Sequence, residues 1–230
     1  MKRIGIFGGS FNPIHLGHTA LACYICEQGL VDEVWLMVSP QNPLKRDLTL
    51  LDENERLAMA RLATAPYPML KACDFEFTLP RPSYTYHTLQ ALRTAYPDCK
   101  FSLIIGEDNW KCFDRWHRGE DIASETPIIV YPRKTEDSER KVGSKVQFST
   151  FKVAFEREQR LLAGSAEHSN FNEVNFQLSI LESPPLLPYS STEVREHIAT
   201  GQDVSHMLHP DVAQYIKEKQ HYTKLQNHEA

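Results

Sequence analysis

The chain has 230 residues, 41% hydrophobic and 24% charged, an ordinary globular composition for one large domain. A chain of this length buries roughly 70% of its extended surface, so its core needs no disulfide or metal staple. The net charge of −5 argues against nonspecific nucleic-acid or membrane-surface binding, and no apolar run approaches the ~20 residues of a membrane span.

Met1-Lys2-Arg3 leads into only a few apolar positions before Gly8-Gly9, unlike the apolar core of an export signal. Five cysteines without such a signal fit reduced thiols. The expectation is a cytoplasmic small-molecule enzyme.

The first 132 residues alternate apolar runs with helical patterns. Ile4–Phe7, Val34–Val38, Met69–Phe75, Phe101–Ile105 and Ile128–Tyr131 read as strands, mostly continuous in hydrophobicity, as in a parallel sheet covered on both faces. Helices are predicted at Gly17–Leu30, Asp52–Ala65, Tyr86–Tyr96 and Asn109–Ser124, with Gly29, Pro66 and Pro97 near their ends. This is the pattern of right-handed βαβ crossovers, hence an α/β fold with a Rossmann-like, doubly wound parallel sheet and C-terminal helices.

From Lys134 to about Asn175 the texture changes, with seven charged residues among the twelve from Lys134 to Lys145. Phe151–Leu162 reads as a short amphipathic helix, and the whole stretch 134–175 as a mobile surface insertion. A strand at Phe176–Leu181 follows, then a proline-rich turn and helices at Ser191–Thr200 and Pro210–Lys219. Residues 1–220 form one domain in this reading, and 221–230 a frayed polar tail.

The strongest motif is Gly8-Gly9-Ser10-Phe11-Asn12-Pro13-Ile14-His15-Leu16-Gly17-His18, directly after the first strand. It is neither a G-x-G-x-x-G fingerprint nor a P-loop. Glycines still let backbone approach an anion, and N–H groups at a helix N-terminus point at it. His15 and His18, three apart, can face one ligand there. The helix end disfavours imidazolium while a bound phosphate favours it, and sequence leaves that sum open.

The second motif is Ser190-Ser191-Thr192-Glu193-Val194-Arg195. Ser190 and Glu193 make a capping box, and Ser191 and Arg195 share a face that suits a polyphosphate. Both readings stand.

Together these motifs resemble the nucleotidyltransferase superfamily, and within it the bacterial nicotinate-nucleotide adenylyltransferases. Pro40-Gln41-Asn42-Pro43-Leu44-Lys45, Glu55-Arg56, Pro82-Ser83-Tyr84-Thr85, Thr88-Leu89, Gly106-Glu107-Asp108-Asn109 and Trp116 follow in the family's order. The resemblance implies transfer of an adenylyl group from ATP to nicotinate mononucleotide, giving deamido-NAD and pyrophosphate in a step of NAD biosynthesis. It implies in-line attack without a covalent enzyme intermediate.

By that resemblance His18 stabilises charge on the α-phosphate and His15 helps to bind the triphosphate. Gly9, Ser10 and Phe11 cradle the reacting phosphates, while Ser191, Thr192 and Arg195 hold the leaving pyrophosphate. Gly106 lies beside adenine and Asp108 contacts the ribose. Asn42 and Lys45 fall to the mononucleotide, Lys45 near its phosphate. Trp116 stacks on the pyridine, Tyr84 and Thr85 read its carboxylate, and Arg133 meets a phosphate or carboxylate. Mg²⁺ is expected as cofactor, held mainly by ATP phosphates rather than by a protein metal site. No nucleic-acid or membrane partner is expected, and a homo-oligomer is allowed.

Two departures from the family stand out: His87 replaces the usual Asp after Ser83-Tyr84-Thr85, and the 134–175 link is long. Other acceptors (nicotinamide mononucleotide, phosphopantetheine, FMN) and a non-catalytic nucleotide-binding regulator remain as alternatives. Cys23 and Cys26 with His15 and His18 have the residue types of a zinc site, but one turn-and-helix rarely closes a tetrahedron. H-x-G-H also occurs in class I aminoacyl-tRNA synthetases, for which this chain is too short and lacks K-M-S-K-S.

Overall fold

The structure is a computed structural model that describes residues 1–40, 50–132, 146–153, 174–181, 184 and 187–223. Seven strands form one sheet in the order β3-β2-β1-β4-β5-β7-β6. They are β1 (Lys2–Gly9), β2 (Glu33–Val38), β3 (Leu70–Cys73), β4 (Cys99–Gly106), β5 (Ile128–Tyr131), β6 (Val146–Val153) and β7 (Val174–Leu181). Every pairing is parallel except β6 with β7.

Both faces of the sheet are covered, which explains why its strands read as unbroken apolar runs. On one face Phe7, Val34 and Leu36 pack with α1 (Leu16–Glu27), α2 (Glu53–Thr64), α6 (Ser191–Thr200) and α7 (Pro210–Lys219). On the other, Ile4, Ile6, Trp35 and Met37 pack with α3 (Thr85–Ala95) and α5 (Gly119–Glu125). Alternate residues of β1 therefore serve opposite layers.

Strand order runs from β1 through β2 to β3 in one direction and from β4 through β5 in the other. The carboxyl ends of β1 and β4 thus flank a topological switch point, where open α/β sheets bind ligands. Gly8-Gly9 and Gly106 sit at those two ends.

Local chemistry sets the helix ends. Asp52 caps α2 by accepting from Asn54 N at 2.8 Å, and Glu53 and Glu55 occupy its first turn. Ser190 Oγ accepts from Glu193 N at 3.1 Å, forming the expected capping box of α6. That helix ends at Gly201, whose φ is +72°.

Several expectations are corrected. The third strand ends at Cys73, and Phe75–Thr78 is a 3₁₀ turn, because Asp74 leaves the extended region. The helix expected over Asn109–Ser124 is broken into α4 (Glu107–Lys111), a 3₁₀ turn at Phe113–Arg115, and α5. Arg118 takes a left-handed φ of +55° before α5, which no continuous helix allows.

Phe151–Val153, assigned to a helix and to a mobile insertion, instead close β6 against Val174–Phe176. Val146 to Val153 is rich in Val, Phe and Thr, residues suited to a pleated surface, and they pair with the open side of β7. Residues 154–162 of that predicted helix lie outside the described residues. His221 and Tyr222, placed in the frayed tail, are anchored, with His221 buried.

Gly119 has no room for a side chain: a Cβ would sit 2.6 Å from the Phe113 carbonyl oxygen. Gly119→Ala is expected to destabilise the protein by about 1–3 kcal/mol in urea unfolding. Unchanged stability would show that the turn carrying Trp116 does not depend on this close packing.

Candidate active site

Beyond β1 the chain is fastened down by groups distant in sequence. Arg56 of α2 is 1% exposed, yet its guanidinium makes four hydrogen bonds to main-chain carbonyls. The acceptors are Ser10 (2.6 Å), Leu51 (2.8 Å), Ser39 (2.8 Å) and Pro40 (2.9 Å). Phe11 then adopts a φ of +45°, uncommon for an aromatic residue, and its ring packs edge-on to His18 at 5.0 Å.

The loop next meets α6. Arg195 Nη1 donates to Asn12 O at 2.7 Å, Arg195 Nη2 to Thr192 Oγ1 at 3.2 Å, and Ser191 Oγ to Pro13 O at 2.8 Å. The two phosphate-type motifs, separated by more than 170 residues, are in direct contact. Ser191, Thr192 and Arg195 stand together at the N-terminal turns of α6, beside the glycine loop.

His15 is the N-cap of α1, and its ring stacks on His18 with centroids 3.7 Å apart. A Cβ on Gly17 would lie 3.0 Å from two atoms of the His15 ring, so a larger residue at position 17 would crowd that ring. The His15 N–H donates to His18 Nδ1 at 3.2 Å, which leaves Nε2 as the protonated nitrogen of a neutral His18.

Burial holds the His18 pKa well below its ordinary value, with the neighbouring His15 adding to the effect. Burial likewise lowers His15 to about 4. Alongside the influences weighed from the sequence, burial by the protein itself favours neutral imidazoles.

A cavity of about 190 Å³ opens over the switch point. Gly8, Gly9, Ser10 and Gly106 line one part of it, and Tyr84, Thr85 and Trp116 another. Asn109 of α4 also lines it, whereas the expected Asp108 is exposed in the same turn beside it. Asn42, Lys45 and Arg133 lie outside the described residues.

Three side chains on this wall escaped the sequence reading. Glu76 accepts from Thr88 Oγ1 at 2.9 Å and from Ser83 Oγ at 3.3 Å, tying the Ser83–Thr85 segment to the 3₁₀ turn. Burial raises its carboxyl pKa, against the lowering effect of its hydrogen bonds. An acid between Phe75 and Phe77 was the one available clue. Arg115 and His117 flank Trp116 and also line the cavity. His87 packs against His117 with ring centroids 5.2 Å apart, so the residue departing from the family pattern adjoins the cavity wall.

Cys23 and Cys26 are free thiols on α1, and burial pushes Cys26 up to about 11. Among the described residues, no group of three or more His, Cys, Asp or Glu side chains is placed to hold a metal. No helix of the described residues is long and apolar enough to cross a membrane.

A glycine loop and two helix N-termini meeting at the switch point of a parallel sheet define a nucleotide-handling α/β protein. Sequence comparison then makes the class specific. The cytidylyltransferase-like family matches residues 6–197. A Bacteroides fragilis protein named probable nicotinate-nucleotide adenylyltransferase is 43% identical over 93% of this chain and 90% of its own length. One of the same name from Flavobacterium psychrophilum is 36% identical over 96% of this chain and 100% of its own.

In structure, the nicotinic acid mononucleotide adenylyltransferase of Plasmodium falciparum, complexed with NaAD, superposes with a TM-score of 0.67. It covers 96% of this chain and 98% of its own at 19% identity, which is evidence of the shared fold. The chain belongs to the cytidylyltransferase-like family, in its nicotinate-nucleotide adenylyltransferase branch.

The lowered His15 pKa has a consequence for stability. The unfolded chain binds the proton at about 6.5 and the folded one only near 4, so stability falls as pH drops through that window. This histidine alone accounts for about 3 kcal/mol of the loss. Glu76, with a raised carboxyl pKa, contributes with the opposite sign. His15→Gln is expected to shrink the loss between pH 7 and 4, measured by urea unfolding at each pH; an unchanged loss would mean His15 is better solvated than its burial indicates.

Proposed function

We propose that the protein transfers the adenylyl group of MgATP to nicotinate mononucleotide, releasing pyrophosphate and deamido-NAD. The observation that carries this is the continuity of the cavity: one space joins the glycine loop at β1 to the Tyr84–Thr85–Trp116 wall. A triphosphate at one end and a pyridine nucleotide at the other bring the acceptor phosphate to the α-phosphorus. The relatives' names support this acceptor.

In the proposed reaction an oxygen of the mononucleotide phosphate forms a bond to the α-phosphorus of ATP. The bond from the α-phosphorus to the bridging oxygen breaks, and pyrophosphate leaves with that electron pair. The attacking phosphate is already ionised at neutral pH, so no general base is required. Catalysis is then positioning plus stabilisation of charge.

The neutral His18 presents Nε2–H as a donor for an α-phosphate oxygen, a role set by the bond at its other nitrogen. An approaching anion would raise its pKa and strengthen that bond. His15 adds a ring beside the triphosphate, and the main chain of Gly9, Ser10 and Phe11 approaches the reacting phosphates. Ser191, Thr192 and Arg195 would exchange part of their hold on the loop for the β- and γ-phosphates.

Mg²⁺, bound through the phosphates and water, would supply further neutralisation of the leaving group. At the acceptor end, Trp116 offers a stacking face, and the main chain at Tyr84 and Thr85 offers donors at the start of α3, whose first turn has no acid. Gly106 would border adenine. Asp108 is left a ribose contact from the cavity edge.

Purified protein with MgATP is expected to release pyrophosphate with nicotinate mononucleotide, and far less with the nicotinamide form. Equal rates would keep the transfer site and overturn the acceptor assignment. His18→Ala should lower kcat roughly 10²- to 10³-fold with little change in ATP affinity, as removal of one preorganised donor does. Near-wild-type turnover would sink the role given to His18.

A further inference from the structure

The C-terminal end of α7 does not stop at the surface. Gln220 turns the chain with a φ of +55°, and the His221 N–H bonds back to Ile216 O at 3.0 Å. Tyr222, itself at φ +63°, then points its ring inward. Its hydroxyl donates to Asn12 Oδ1 at 2.8 Å, across 210 positions of sequence. Burial raises the Tyr222 pKa although Arg56 and Arg195 both act to lower it, so the phenol remains a donor at neutral pH.

Asn12 is 3% exposed and lies between the strained Phe11 and Pro13. Its side-chain oxygen accepts from Tyr222 and, at 3.3 Å, from Leu51 N, while its main-chain oxygen accepts from Arg195 at 2.7 Å. One asparagine thus joins the C-terminal turn, the start of α2 and the guanidinium assigned above to the leaving phosphates. The hydrogen bond from Tyr222 fixes how that asparagine sits.

We propose that Tyr222 is a positioning residue for adenylyl transfer. Through Asn12 it holds the loop that cradles the reacting phosphates and the carbonyl on which Arg195 is aimed. This rests on the adenylyl-transfer reading. It differs from a general role in stability, because the same C-terminal segment carries a second anchor that does not touch the loop. Tyr215 Oη donates to Glu55 Oε2 at 2.7 Å, and His221 Nε2 meets the same oxygen at 2.9 Å.

Those two tyrosines supply a matched pair. Tyr222→Phe and Tyr215→Phe each delete one hydroxyl from one latch, and melting curves establish that both are folded at the assay temperature. Tyr222→Phe is expected to lower kcat about 10-fold at saturating substrates, since a small displacement of a positioning group is costly in rate. It should also weaken a non-hydrolysable ATP analogue several-fold by calorimetry. Tyr215→Phe should stay within twofold of the wild type in both measurements.

A kcat for Tyr222→Phe within twofold of the wild type would overturn the proposal. So would an equal fall in both variants, which would mean that the latch acts only by general tightening. If the wild type releases no pyrophosphate with nicotinate mononucleotide, the acceptor reading fails instead. The analogue titration then still decides for Tyr222, unchanged affinity overturning its role.

Discussion

The buried guanidinium of Arg56 ties the chain after β1 to the connection between β2 and α2. A charge taken out of water is costly unless its donors find partners, and here four bonds reach carbonyls of two connections: Ser10 after β1, and Ser39, Pro40 and Leu51 between β2 and α2. Burial acts against its charged form, opposed by Tyr222, Glu53 and Asp52. Two of the four bonded carbonyls, Ser10 and Ser39, directly follow the ends of β1 and β2, so the cation lies under the glycine loop. On the proposed function, a fixed cation under the glycine loop would lower the cost of gathering phosphates there without a surface cluster of lysines, in a protein of net charge −5.

Three further polar side chains of the site are engaged by main-chain groups. Ser191 and Arg195 rest on the carbonyls of Pro13 and Asn12, and His18 accepts from the main chain of His15. On the proposed function, these donors would already be held near their working positions, which would reduce the ordering cost of binding. The stacked pair of neutral imidazoles follows the same logic: two rings 3.7 Å apart cannot both be charged cheaply, and burial keeps them neutral until an anion arrives.

What the sequence made legible was set by local patterns. The parallel strands were readable because residues such as Ile4–Phe7 and Phe101–Ile105 are apolar on both faces, and α6 because its capping box is spelled out in Ser190 and Glu193. The glycine loop, both histidines and the α6 triad were readable as motifs, and Trp116, Tyr84 and Thr85 through resemblance. Strand β6 was not, since Phe151–Val153 becomes strand only when β7 supplies a partner, a tertiary effect that overrides local propensity. Arg56 could be quoted from the sequence but not understood, because its four acceptors are main-chain atoms with no side-chain signature. Tyr222 was missed because its partner Asn12 lies 210 positions away, and Glu76 because its partners Ser83 and Thr88 stand outside its own 3₁₀ turn.

The contact between Asn12 and Tyr222 also bears on how the molecule is made. The loop after the first strand is translated early, yet its partners Arg195 and Tyr222 lie 183 and 210 positions later. Closing so long a span costs chain entropy before any contact rewards it, and folds dominated by such pairings assemble late and slowly. During synthesis, a chain holding β1 through β5 can bury much of its core while its phosphate loop lacks both α6 and the C-terminal turn. On the proposed function, such an unfinished chain would lack part of its ATP site. On that reading, nucleotide binding would be complete only once the turn after α7 reaches the first loop.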